Sequence, residues 1–189
     1  MKKPEPINYP TKEYQAALYK VYKAVFEQKI LDENRIRLMT PLFAYQRWSW
    51  RVVGISEGAI KLIRESKYSY PKGLNRDHFI QDRTNTFRQM FPQNNVILEQ
   101  NHWWNLFWKN DATIILSKLE HKNKNKQKIR CYPLNWKKGY FACKRLIGFD
   151  YRKSIEGELL KSKITSGEYL SEDSKTLSIN DLRDWQGIE

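Results

Sequence analysis

Cysteine is nearly missing from this chain, with Cys131 and Cys143 its only two in 189 residues. That excludes a disulfide framework, and it excludes a four-cysteine zinc site within one chain. Glycine is also scarce, and its eight positions build no phosphate-cradling loop. There is no Walker A segment, no dinucleotide fingerprint and no Gly-x-Ser-x-Gly elbow. No apolar run approaches the roughly 18 residues of a membrane-spanning helix. The opening residues, Met1-Lys2-Lys3-Pro4-Glu5-Pro6, are polar and proline-containing where a signal peptide would be apolar. These absences predict a soluble protein of the cytoplasm. Negative charge is in deficit too: 21 Asp and Glu stand against 34 Lys and Arg, leaving +13. Such a field captures polyanions, so DNA is the first expected partner, RNA the second, and a membrane is not expected.

What is present argues for a folded domain. Hydrophobic residues make up 40% and aromatics 14% of the chain, too much for a disordered tail. Thr11 is placed to cap a helix running to about Gln28, with Tyr14, Leu18, Val21, Tyr22 and Val25 at helical spacing. Ser56 is placed to cap a second helix carrying Ala59, Ile60 and Ile63. Leu74 to Ile80 suits a short strand, Asp82 to Phe91 a helix stopped by Pro92, and Ala112 to Leu116 a buried strand. Ser117 with Glu120 has the capping-box spacing that starts a helix bearing His121. Two further strands fit about Ile129 to Pro133 and Gly139 to Phe149, joined by a turn around Asn135. Ser178 with Asp181 suits a last short helix. The expected fold is a single α+β domain with N-terminal helices (1–70), a central ββα-like element (71–128) and a C-terminal β-hairpin plus short helix (129–189).

Chemistry concentrates in the middle. Lys122 to Arg145 contains nine basic residues and no acidic one, whereas the stretch after Thr165 is acidic. The anion-binding surface is therefore expected at Arg76, Lys122, Lys124, Lys126, Lys128, Arg130, Lys137 and Lys138, which would hold phosphates. The chain has three histidines. His102, within Asn101-His102-Trp103-Trp104, reads as a partly exposed member of an aromatic core. His78 follows Asp77 at the end of the expected strand. Such a pair suits metal-assisted hydrolysis: the carboxylate holds a divalent cation and the imidazole takes a proton from water. His121 on the downstream helix is the natural further ligand.

Asp77-His78, then Asn110-Asp111-Ala112-Thr113-Ile114-Ile115-Leu116-Ser117, then Glu120-His121-Lys122 resemble the HNH, or ββα-metal, endonuclease motif of phage and restriction enzymes. The resemblance covers about residues 72 to 128. It implies a ββα unit that hydrolyses DNA phosphodiesters with Mg2+ or another divalent cation. His78 would be the base, Asp77 and His121 the metal ligands, and Asn110 or Asp111 the orienting group, since Ala112 occupies the usual asparagine position. An enzyme cutting a palindrome would favour a homodimer. Two other readings remain open. Asp111, Glu120 and Lys122 have the order of a PD-(D/E)XK nuclease, provided Glu120 lies on a strand. A non-catalytic regulator or inhibitor of phage type would use the same basic surface, on nucleic acid or a nucleoprotein, without a metal.

Overall fold

A computed structural model of the chain describes residues 10–44, 46, 48–67, 71–78, 80–123, 128–133, 152–167 and 176–184. Helix α1, Lys12–Phe26, begins where Thr11 caps it, the hydroxyl accepting from the Tyr14 N–H. Helix α2, Asp32–Ala44, follows with Pro41 inside it. Strand β1, Arg51–Ser56, runs into α3, Glu57–Glu65, whose cap is Ser56. Strand β2, Leu74–His78, is followed by α4, Arg83–Met90, capped by Asp82. Then come α5, Gln100–Asn110, and β3, Ala112–Ser117. Ser117 and Glu120 form the expected capping box at the start of the short α6, Lys118–Lys122. Strand β4, Arg130–Pro133, precedes α7, Ser154–Ser166. Strand β5, Leu177–Ser178, leads into α8, Ile179–Asp184, where Ser178 and Asp181 bond reciprocally.

The class is α+β, with helices leading the chain and one mixed sheet of order β2-β3-β1-β4-β5. β1 and β3 are parallel; the other neighbours are antiparallel. Both central strands are buried along their whole length, which is why Arg51–Ser56 and Ala112–Ser117 lack polar alternation. One sheet face packs Val52, Ile55 and Ile115 against Ile60 and Ile63 of α3 and Leu160 and Ile164 of α7. The other packs Val53, Ile114 and Leu116 against Ile179 and Leu182 of α8. The pairing of β1 with β3 is irregular between Val52 and Gly54, and that irregularity lets Val52 and Ile55, three residues apart, enter the same core while Val53 faces the other. A third core, built of rings from α1, α2, α4 and α5, centres on Tyr22, Phe43, Trp103 and Phe107. Phe43 and Phe107 stack there at 3.9 Å between centroids.

Two expectations need adjustment. Apolar spacing marks no element from Pro41 to Val53, yet β1 emerges there and becomes the middle strand. α2, α5 and α7 have no counterpart in the expected order of elements. The strand expected over 139–149, and the turn before it, lie outside the described residues. Among the described residues, no helix is long and apolar enough to cross a membrane.

Candidate functional site

β2 and β3 pair antiparallel, with Leu74 opposite Ser117 and His78 opposite Thr113. The chain then turns into α6, whose first N–H, from Lys118, donates to the Gly73 carbonyl at 2.7 Å. Gly73 sits at φ +111°, a left-handed value that suits glycine, in the turn entering β2. α6 is thereby tied to β2, and His121 reaches Asp77: Nε2 lies 3.7 Å from Oδ1. The Asp77 side chain is 20% exposed and that of His121 39%. This pair joins two residues that the sequence singles out as ligands of one cation.

His78 follows Asp77, and strand alternation sends it to the opposite side. Its ring lies 4.4 Å from that of Trp50, and its Nε2 3.6 Å from Asp111 Oδ1. Nε2 is buried without a hydrogen-bond partner, and only 8% of the side chain is exposed. Asp111, at the junction of α5 and β3, is held from several directions. Its Oδ2 accepts from the Trp50 N–H at 2.6 Å. Its Oδ1 accepts from Arg83 Nη2 at 2.6 Å and Nε at 3.0 Å. Arg83 Nη2 also reaches the Ser49 hydroxyl. Trp50 holds a left-handed backbone at φ 58°, and its indole carries two guanidinium groups: Arg83 at 4.4 Å and Arg76 at 5.0 Å from the ring centre. Cations favour the negative face of such a ring. The result is a semi-buried cluster in which the Arg76 and Arg83 guanidinium groups and the His78 ring gather around Trp50 and the Asp111 carboxylate.

Other expected site residues are more scattered. Asn110 is buried at the end of α5, where its Nδ2 donates to the Leu106 carbonyl, so Asp111 rather than Asn110 stands beside His78. Arg130 is exposed on β4, with its guanidinium bonded to the Thr176 carbonyl and hydroxyl. Lys122 and Lys128 face solvent. Lys124, Lys126, Lys137 and Lys138 lie outside the described residues. His102 is exposed on α5 while its neighbours Trp103 and Trp104 are buried, so it stands outside the ring cluster instead of within it.

Glu120 lies in helix α6, not on a strand, which removes the placement that the PD-(D/E)XK reading requires. Its carboxylate is also fully engaged. Oε2 accepts from Ser56 Oγ at 2.5 Å, Ser117 Oγ at 2.7 Å and Ser117 N–H at 2.8 Å, and Oε1 accepts from the Gly58 N–H at 3.1 Å. Glu120 therefore joins the starts of α3 and α6. The capping-box spacing points to the Ser117 half of this arrangement; nothing in the sequence points to Ser56 and Gly58. Trp50, Ser49 and Arg83 were likewise invisible as site residues, because they meet Asp111 only through long-range contacts.

One carboxylate and one imidazole make a donor set acceptable to Mn2+, Zn2+ or, less readily, Mg2+. Among the described residues, no group of three or more His, Cys, Asp and Glu is arranged around a common point. A cation held by Asp77 and His121 would need its remaining ligands from other groups, such as water. Comparison of the chain with family models, curated proteins and solved structures returns no match.

Proposed function

We propose that this chain is a divalent-cation-dependent nuclease of HNH-like organisation, with DNA as its substrate. The observation carrying the reading is the 3.7 Å approach of Asp77 and His121, brought together by an antiparallel strand pair and the helix after it. These are the residues that the motif resemblance assigns to the metal, and they meet in the matching order of elements. The excess of 13 positive charges favours a polyanionic substrate.

Asp77 and His121 would hold the cation, whose chemistry is to stabilise charge on the phosphate and the leaving oxygen. His78 would take the proton. His78 Nε2 lies 3.6 Å from Asp111 Oδ1, so Nδ1 would be the nitrogen that takes the proton. Asp111 then stabilises the imidazolium that forms, and Arg83 and the Trp50 N–H fix Asp111 in place. Arg76, on the same side of β2 as His78, would hold a phosphate oxygen.

The test is cleavage of supercoiled plasmid with Mg2+ or Mn2+, comparing wild type with His78→Ala, Asp77→Ala and His121→Ala. Metal-dependent cutting should fall by about 100-fold or more in His78→Ala, the usual contribution of a general base. Cutting that persists in His78→Ala removes this histidine from the mechanism. A second reading, a non-catalytic nucleic-acid-binding regulator, is favoured by one observation: His78 is almost closed to solvent and leaves β2 on the side opposite Asp77. Salt-sensitive DNA binding by a wild type that cuts nothing would establish that reading instead.

A further inference from the structure

We infer that Leu119 is an apolar contact pressed into duplex nucleic acid on the outer face of α6, the helix that carries His121. This rests on the nucleic-acid reading above and adds how the duplex is gripped. Leu119 is 83% exposed, more than any other large hydrophobic side chain among the described residues. Exposed leucines on fraying ends are ordinary, but this one sits on a firm mount. α6 is locked by the Ser117–Glu120 capping box, by the bonds from Ser56 and Gly58 to Glu120, and by the Lys118 N–H on the Gly73 carbonyl. The firm mount of this leucine, together with the charges that flank it, points to a partner.

The surroundings identify the partner's chemistry. Within α6, Glu120 and His121 turn inward, to the helix starts and to Asp77, while Lys118, Leu119 and Lys122 face outward. Lys122 lies one turn from both Lys118 and Leu119, so the leucine is flanked by positive charge. The chain then continues to Arg145 without an acidic residue. A second copy of this surface would be repelled, and an apolar protein groove would leave the lysines unpaired. A duplex satisfies both groups at once: phosphates take the ammonium groups, and sugars and base edges take the leucine, which can enter a base step as a wedge.

The experiment uses the full chain with EDTA present to prevent cutting, and a set of duplexes with 2-aminopurine placed at successive base steps. Wild type should bind in a salt-sensitive way and raise the 2-aminopurine fluorescence at one or two steps. Leu119→Ala should lose that rise and bind roughly tenfold more weakly, while Leu119→Met keeps both. The exposed position leaves both variants foldable. A rise that is unchanged in Leu119→Ala, or absent although wild type binds, overturns the contact and leaves the nucleic-acid reading standing. Wild type that binds no duplex at low salt overturns both.

Discussion

Only 1% of the Asp111 side chain meets solvent, so its carboxylate depends on the donors around it. Arg83 supplies two of them and Trp50 a third. Replacing Arg83 with Met keeps the apolar stem and removes the guanidinium, leaving a buried carboxylate short of partners. The expected loss is about 3–5 kcal/mol, read as a lower urea midpoint at unchanged slope. A variant within about 0.5 kcal/mol of wild type would mean that water replaces the guanidinium and that Asp111 is not truly enclosed. At this scale the sequence singled out Asp77 and His121, which lie 3.7 Å apart, as ligands of one cation. It could not show that His78 leans on Asp111, since that contact depends on how β2 and β3 align at their far ends.

Glu120 shows how one side chain couples two elements. Its carboxylate receives donors from the start of α3 and the start of α6, and the two helices follow the parallel neighbours β1 and β3. The close approach leaves no room at Gly58, where an added Cβ would lie 2.6 Å from Glu120 Oε1. Gly58→Ala should therefore cost about 1–3 kcal/mol despite alanine's better helix propensity. Glu120→Ala should also destabilise, but in that background Gly58→Ala should become neutral or favourable. A thermodynamic double-mutant cycle reads this directly, and additive effects would show that Glu120 does not press on Gly58. Side-chain capping also explains which helices could be read in advance. Thr11, Ser56, Asp82 and Ser117 each accept the backbone N–H three residues on, and each marked its helix from sequence. α5 and α7 start at Glu99 and Lys153, which make no such bond, and neither helix was foreseen. α2 was hidden by Pro41, a residue that ordinarily argues against a helix and here lies in its last turn.

The molecule as a whole buries ionisable groups in two of its three cores, and this gives a pH dependence. Burial pushes the Cys131 thiol up from 9.0 to about 12, reinforced by the negative charges of Glu120 and Glu57. Burial likewise raises the Tyr22 hydroxyl from 10.0 to about 12, although the Leu98 N–H bonded to it works in the opposite direction. In both cases the folded protein holds a proton that the unfolded chain releases. The unfolded state therefore binds fewer protons in alkali, and stability falls as pH rises. The window opens near pH 9, where the unfolded thiol ionises, and extends towards 12. The expected loss is on the order of 1 kcal/mol per pH unit for each group inside its window. Urea titrations from pH 7 to 11 should show it. Cys131→Ala should flatten the decline between pH 9 and 10, where Tyr22 has yet to contribute, and an unchanged slope there would show that the thiol ionises freely in the folded state.

The sequence by itself determined the α+β class, the starts of the capped helices, the buried character of the strand from Ala112 to Leu116 and the excess of positive charge. Each of these follows from composition or from interactions between residues three or four apart, which the chain carries wherever it folds. Only the tertiary structure decided that β1 lies at the centre of the sheet and that Glu120 serves two helices. It alone set His78 against Asp111 and Trp50, on the side of β2 away from Asp77. Those outcomes depend on strand order, register and the packing of residues distant in sequence, and no local pattern encodes such contacts.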